Sequence, residues 1–407
     1  MAGDGTDGQR SWGYPWSAGA SVVGGGICGR DSTTAGTEAR TRSVGRTRAH
    51  RATGTGASHR ATGTGASHRA PIIGAMNDQT FRAFVVDKPA GGPFTRGLRE
   101  LRTSDLPPGE VTVRVMWSSV NFKDGLAARE DGRVARSYPL VPGIDLAGEV
   151  AASDDPALPV GMPVLANGYE IGTARHGGYA DLARIPSGWV VPLPDAMTAR
   201  DAMAIGTAGF TAAMSVAALE DHGLRAGDGP VLVTGASGGV GSMAIAILAA
   251  RGHEVWAATG KADEHDRLRG LGATGFLTRD EVTAPGRPLD SARWAAAVDT
   301  VGSATLPYVL RTLRIGAAVA SSGNASGAEL STTVFPFILR GVSLLGMDSA
   351  NMAIEPRHAL WRRLATDLRP LGIDDGVTEV DLETVEPALD AIVAGQARGR
   401  WVVRVSG

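Results

Sequence analysis

Cysteine is the scarcest chemistry in this chain of 407 residues, which holds one, Cys28. A single thiol excludes an internal disulfide, a cysteine-rich zinc lobe and an iron–sulfur cluster held by four thiolates of one chain. Nothing in that count points to export, so a reducing cytoplasm is the expected compartment. An excess of one charge is missing too. The chain has 40 Lys and Arg against 42 Asp and Glu, a net of -2, and so lacks the basic balance of a nucleic-acid binder. No apolar run of about 18 residues stands out, so no membrane span is expected. What remains is 43% hydrophobic and 20% charged, enough for a packed core. The length alone suggests two or three domains.

The first 75 residues lack almost all Leu, Ile and Phe, and have no Lys. They carry nine Arg and four acidic residues, so this stretch is +5 and the rest of the chain -7. The segment HRATGTGAS occupies 50–58, repeats at 59–67 and restarts as HRA at 68–70. Such a stretch cannot bury enough apolar surface to offset chain entropy, so residues 1–75 are expected to be a disordered, low-complexity extension. His50, His59 and His68 recur with the repeat, and repeat expansion accounts for their spacing without metal binding. Met76 opens Met76-Asn77-Asp78-Gln79-Thr80-Phe81, a natural start before a first strand. A targeting peptide is the rival reading, but the stretch lacks an amphipathic apolar face and a secretory core.

Beyond Phe81 the pattern changes twice. Residues 76–203 alternate short apolar runs with Pro and Gly, at Val111–Trp117, Gly143–Val150, Gly161–Ala166 and Trp189–Leu193, and read as a barrel-like β unit. Residues 204–345 alternate strand and helix patterns, which predicts a doubly wound α/β unit with a parallel sheet. Residues 346–407 hold two helices, around Pro356–Asp367 and Val385–Ala394, and a closing strand, Trp401–Val405. That strand has no obvious partner in the α/β unit and is expected to return to the first domain.

The strongest local signal is Val231-Leu232-Val233-Thr234-Gly235-Ala236-Ser237-Gly238-Gly239-Val240-Gly241. An apolar strand runs into a glycine-rich turn that opens an Ala/Ile-rich helix. Ala236, Gly238 and Gly241 fit G-x-G-x-x-G with Ala in the first place. A side chain at Gly238 would hold the backbone off a pyrophosphate, and one at Gly241 would part helix from strand. The helix start offers free N–H groups and a positive dipole end to an anion. The next strand selects the dinucleotide. An NAD site places Asp or Glu at its end to bind the ribose 2′-hydroxyl. Here that end carries Thr259, Gly260 and Lys261, where a hydroxyl, bare backbone and an ammonium suit a 2′-phosphate. NADP(H) is therefore expected, the competing reading being a merely solvated Lys261. Arg279, past the third strand, is placed to reach the same phosphate or the adenine.

Further runs carry a resemblance. These are Ser118-Ser119-Val120-Asn121-Phe122-Lys123-Asp124, Val141-Pro142-Gly143-Ile144-Asp145, Ile205-Gly206-Thr207-Ala208-Gly209, Asp299-Thr300-Val301-Gly302 and Phe335-Pro336-Phe337-Ile338-Leu339-Arg340-Gly341. With the glycine turn they resemble the zinc-free medium-chain dehydrogenase/reductase family, in its acryloyl-CoA reductase and quinone oxidoreductase branch, over about 81–405. The resemblance implies a GroES-like catalytic domain, a Rossmann domain, NADPH and no metal. Zinc-dependent relatives have Gly-His-Glu where this chain has Gly143-Ile144-Asp145. It implies cofactor contacts at Ser237, Gly238, Gly239 and Val240 in the turn, at Thr259, Gly260 and Lys261, and at Arg279. It adds Phe122, Asn324, Ile338 and Asp348 toward the nicotinamide, and Arg400. Relatives commonly carry tyrosine where Phe122 stands, and Phe keeps the stacking surface while removing the hydroxyl.

The reaction that follows is NADPH-dependent reduction of the C=C bond of a short 2-enoyl-CoA, acryloyl-CoA to propanoyl-CoA. Hydride goes to the β-carbon and charge develops on the thioester oxygen. Asn121, Lys123 and Asp124 are the candidate catalytic residues for delivering the α-proton, each with a structural role as its alternative: Asn121 as a cap or turn, Lys123 paired with Asp124. Arg129, Arg133 and Arg136 are either attractors of CoA phosphates or a solvated loop. Two other functions remain open, an NADPH:quinone oxidoreductase and a non-catalytic NADPH-binding protein. Gly341–Met347 is apolar on both faces, as for an edge strand pairing across a two-fold axis in a homodimer, with packing inside one subunit as the rival.

Overall fold

The computed structural model describes residues 78–373 and 376–406. The start at Met76, the histidine repeats and the expected disordered extension lie outside them. The chain opens with a hairpin of β1 (Thr80–Asp87) and β2 (Thr95–Arg102), the latter not foreseen from sequence. Then come β3 (Val111–Ser119), α1 (Phe122–Ala127), β4 (Asp145–Ser153), β5 (Pro163–Asn167), β6 (Leu182–Ile185) and β7 (Val191–Pro192). Val111, Val113 and Val115 of β3, with Leu146 and Val150 of β4, point into one apolar core, the period-two pattern of a half-buried strand.

α2 (Ala199–Asp221) carries the chain into the second unit. Its cap is Thr198, whose hydroxyl accepts from the Asp201 N–H at 3.0 Å. By length and composition α2 would reach across a membrane, a candidate that sequence inspection missed, yet its faces are packed inside the protein. Gly206 breaks it, with φ 51° and ψ -162°, a conformation that a residue with a Cβ avoids.

The alternating part runs β8 (Val231–Thr234), α3 (Gly239–Ala250), β9 (Val255–Ala258), α4 (His265–Gly270), β10 (Ala273–Leu277), α5 (Arg279–Thr283), β11 (Trp294–Asp299), α6 (Thr305–Thr312), β12 (Leu313–Ser321), α7 (Phe335–Arg340) and β13 (Ser343–Gly346). Its six strands are parallel in the order β10-β9-β8-β11-β12-β13. That is the doubly wound order whose switch point lies between the first strand, β8, and the fourth, β11. Val231, Val233, Ala257 and Val298 pack on the α2–α3 side, and Leu232, Ala258, Ala297 and Val319 on the α6 side. Both faces are covered, so the strands read as continuous apolar runs.

α8 (Ile354–Leu364), β14 (Val377–Asp381), α9 (Val385–Val393) and β15 (Arg400–Arg404) finish the chain. The closing strand does return: β15 pairs antiparallel with β3, in a seven-stranded sheet with β4, β5, β6 and β7. Its other neighbour, β14, is parallel to it and was not anticipated.

Candidate active site

The phosphate-binding turn sits at the switch point. β8 ends at Thr234, whose hydroxyl donates to Asp299 Oδ1 at 2.6 Å, joining β8 to the end of β11. Thr300 Oγ1 donates to the Thr234 carbonyl at 3.0 Å. The chain then reverses at Gly235, with φ 60°. A Cβ there would collide with the Thr300 hydroxyl and lie 3.0 Å from Val301 Cγ2. The tight-turn role expected at Ala236 therefore belongs to Gly235, and Ala236 is a buried residue whose N–H donates to the Ala258 carbonyl at 3.1 Å. A Cβ on Gly241 would lie 2.9 Å from Ala236 Cα, so α3 can press on the turn only with glycine there. α3 starts from Gly238 with no side-chain cap, leaving its leading N–H groups for an anion. Gly238 is exposed, and Ser237, Gly239 and Val240 are half-buried beside it.

The adjoining tip brings Thr259, Gly260 and Arg279 beside the turn. Thr259 Oγ1 donates to Ser237 Oγ at 3.2 Å and accepts from the Lys261 N–H at 3.1 Å. Arg279 is the first residue of α5, and its Nε lies 3.2 Å from where a Cβ on Gly260 would be. Among the described residues its guanidinium has no hydrogen-bond or ion-pair partner. Lys261 is already engaged, because its Nζ donates at 2.6 Å to the carbonyl of Gly395, just past α9. Arg267, not singled out from sequence, donates to the Ser237 carbonyl at 3.2 Å and pairs with the buried Glu264 at 2.6 Å.

Behind the turn lies a buried polar joint that no motif announced. Asp145, fully buried on β4, accepts from Ser119 Oγ at 2.5 Å and Asn121 Nδ2 at 2.8 Å. It also accepts from the Thr207 N–H at 2.9 Å and the Thr207 hydroxyl at 2.5 Å. A carboxylate on the first sheet thus holds the broken end of α2. Arg400, at the start of β15, donates to the carbonyl of Ala204 at 3.0 Å and to Asn121 Oδ1 at 3.4 Å. Its Nη2 is buried without a partner. A Cβ on Gly206 would lie 2.6 Å from both that nitrogen and Asp145 Oδ2. Burial pulls the Arg400 guanidinium below its usual value, and Asp145 and Asp124 pull the other way.

The three candidate catalytic residues divide. Asp124 is fully buried, and its Oδ1 accepts from the N–H groups of Gly143 and Ile144 at 3.1 and 2.8 Å. Burial, then the charge of Asp145, push its pKa up to about 7 against those hydrogen bonds. Asn121 is turned inward between Asp145 and Arg400. Lys123 does not pair with Asp124. It is exposed, and its charge helps hold down the pKa of Asp348, which the Asn351 hydrogen bond lowers most. Phe122 is exposed on the same turn of α1. Asn324 is exposed beside Gly302, at the switch-point end of the sheet. Ile338 is 67% exposed on α7, so it is not a core residue, and no described contact joins it to the turn.

Of the three loop arginines, Arg129 is paired with Asp131 and Arg136 with Glu170, as in a solvated loop. Only Arg133 has no ion-pair partner among the described residues.

Two family models match, the alcohol dehydrogenase GroES-like domain over residues 107–195 and the zinc-binding dehydrogenase domain over 239–366. The acrylyl-CoA reductase AcuI of Ruegeria pomeroyi is 48% identical over 329 residues, which is 80% of this chain and 99% of that protein. YhfP of Bacillus subtilis, provisionally named a quinone oxidoreductase, is 44% identical over 80% of this chain and 99% of its own. Among solved structures, the Salmonella enterica yhdH oxidoreductase in complex with NADP superposes with a TM-score of 0.78 at 44% identity. That match covers 80% of this chain and all of that one. The Bacillus subtilis yhfP structure with NAD bound scores 0.78 at 42% identity, with the same coverage.

Proposed function

The chain belongs to the medium-chain dehydrogenase/reductase family, and on that premise we propose that it is an NADPH-dependent reductase of short 2-enoyl-CoA thioesters, converting acryloyl-CoA to propanoyl-CoA in the cytoplasm. The observation that carries the cofactor half of the reading is the unpartnered Arg279 guanidinium lying against Gly260, beside Thr259 and Lys261. A carboxylate at that tip would repel a 2′-phosphate, and this chain offers a cation, bare backbone and a hydroxyl. Because solved relatives hold both NADP and NAD, these residues of this chain decide between the two.

The site fits the phosphorylated dinucleotide. Ser237, Gly238, Gly239 and Val240 would hold its pyrophosphate at the start of α3, and Arg400 Nη1 lies 3.4 Å from where a Cβ on Gly239 would be. Phe122, Asn324, Ile338 and Asp348 are retained as the proposed residues of the nicotinamide side. When bound, NADPH supplies a hydride for the β-carbon of the activated double bond. The balanced reaction takes up one proton at the α-carbon and releases NADP+. Of the three sequence candidates, Lys123 alone is exposed, and on that ground it is assigned as the proton source, directly or through water. Asn121 and Asp124 hold the loop that carries it. Phe122 contributes a stacking surface without a hydroxyl.

Zinc has no place in this reading. At the position where zinc relatives place a ligand, Asp145 is saturated by Ser119, Asn121 and Thr207, and its neighbour is the buried apolar Ile144. Association as a homodimer is part of the proposal. β13 is an edge strand paired, among the described residues, with β12 alone, and Leu344, Leu339 and Ile338 are exposed around it. Sedimentation at micromolar concentration would show twice the chain mass.

The deciding experiment follows NADPH oxidation with acryloyl-CoA, crotonyl-CoA and a simple quinone at equal concentration. Acryloyl-CoA is expected to give the highest kcat/KM. A faster quinone reaction would move the chain to the oxidoreductase reading suggested by the Bacillus relative's name. Tight NADPH binding with no acceptor turned over would make it a non-catalytic binder.

A further inference from the structure

Arg357, on α8, is fully buried, yet among the described residues no carboxylate is within ion-pair distance of it. Its donors reach two separate segments instead. Nη1 donates to Asn167 O at 2.8 Å and Asn167 Oδ1 at 3.1 Å, at the end of β5. Nη2 donates to the carbonyls of Ser349, Ala350 and Met352 at 3.1, 3.2 and 3.1 Å, in the loop that follows β13. The guanidinium lies 4.4 Å from the Tyr169 ring centre and 5.1 Å from that of Phe210. One side chain therefore staples a loop of the parallel sheet to a strand end of the catalytic sheet.

The surroundings reinforce the staple. The Tyr169 N–H donates to the Ala350 carbonyl at 2.8 Å, and its hydroxyl to the Met352 carbonyl at 3.0 Å. Tyr169 holds φ 51° to do so, a strained value for a residue with a side chain. Thr211 donates to Ser349 Oγ at 2.7 Å, tying the loop to α2 as well. The loop begins at Asp348, whose carboxylate accepts from the N–H groups of Ala350 and Asn351 at 3.1 and 3.2 Å. A side-chain hydrogen bond from Asn351 at 2.7 Å holds the same carboxylate in the loop. Burying a cation against carbonyls alone is costly, and an apolar side chain of similar size would fill a core with less penalty. What an apolar side chain could not do is hold five acceptors on two segments in one plane.

We propose that Arg357 is a positioning residue, clamping the 348–352 loop to the end of β5 and so fixing Asp348, which is proposed for the nicotinamide side of the site. The inference rests on the reductase reading for its kinetic consequence but not for its structural one. Arg357→Lys keeps the charge and loses the fork. Its expected effects are amide exchange at 349–352 faster by about tenfold or more, and a kcat/KM for acryloyl-CoA lower by about tenfold. The NADPH dissociation constant should rise by a smaller factor, no more than about threefold, because Asp348 is proposed at the nicotinamide end alone while the turn and Arg279 hold the rest of the dinucleotide. The double variant Arg357→Lys/Asp348→Asn should be no worse than the poorer single variant, since both act through one carboxylate. Tyr169→Phe removes only the hydroxyl on Met352 and should move exchange and kcat/KM the same way by a smaller factor, which keeps the test open if Arg357→Lys does not fold.

Unchanged exchange at 349–352, or additive losses in the double variant, would overturn the proposal. So would equal losses in NADPH affinity and kcat/KM. If the unmutated protein leaves acryloyl-CoA unreduced, the reductase reading falls, and the exchange data still decide whether the clamp exists.

Discussion

The glycine turn and the polar joint behind it solve opposite problems in neighbouring space. The turn works by leaving things out. Gly235, Gly238 and Gly241 keep side chains away so that backbone, helix start and an anion can approach one another. The joint works by saturating a buried carboxylate. Asp145 collects four donors, and Asn121 bridges it to Arg400. Vacancy suits a ligand that comes and goes, and saturation suits a hinge-free contact between the catalytic sheet and the broken α2. A change in the turn should therefore be read in cofactor binding, and a change in the joint in stability.

The largest departure should come from Gly241→Val. With a Cβ 2.9 Å from Ala236 Cα, α3 must move off the turn, and NADPH affinity should fall by at least about 100-fold, on the order of 3 kcal/mol. Calorimetric titration reads it directly, and an unchanged dissociation constant would erase the contrast. Asp145→Ala comes next. It leaves Ser119, Asn121 and Thr207 donors buried without their acceptor and should lower unfolding stability by about 2–4 kcal/mol in urea. Its effect on NADPH affinity should be the smaller of the two.

The pH dependence sharpens the same comparison. Asp124 has its folded pKa raised to about 7, so the folded state binds the proton more tightly than the unfolded chain. Stability should fall as pH rises from about 4 to about 7, by at most about 1.4 kcal/mol per unit, and this component should be lost in Asp124→Asn. Glu220, at the far end of α2, runs the other way. Burial raises its pKa, but hydrogen bonds from His253 and Arg251 outweigh that and hold it at about 2. Its contribution is present above about pH 4.5 and is lost as pH falls toward 2. Urea midpoints across pH 3–8 for Asp124→Asn and Glu220→Gln separate them. The smallest effect is reserved for Phe122→Tyr, which restores a hydroxyl on an exposed ring and should change kcat by no more than about threefold.

The same contrast explains what could be read from the chain alone. The turn is local: strand, glycines and helix follow one another within Val231–Ala250, so pattern and spacing expose it. The tip at Thr259–Lys261 and Arg279 was legible for the same reason, since each follows a strand of the parallel sheet. Even there the tight-turn role slipped by one residue, because only Thr300, arriving from β11, shows that Gly235 is the position with no room. The joint is long-range. Asp145, Thr207 and Arg400 come from β4, α2 and β15, and no spacing reveals that they meet. Arg357 was illegible for a further reason, because one of three arginines in an amphipathic helix reads as a solvated charge until the carbonyls around it are seen. Asn121 and Asp124 were picked as chemistry from a motif, and what the motif could not reveal is that both are buried and hydrogen-bonded while Lys123 between them is exposed.

The most direct test of the account is the selectivity of the tip. NADPH and NADH should be titrated against the unmutated protein and against Arg279→Ala. The account predicts that NADPH binds at least about tenfold more tightly than NADH, and that Arg279→Ala removes most of that margin by weakening NADPH alone. Equal affinity for the two dinucleotides in the unmutated protein, or a loss shared equally by both in the variant, would contradict it.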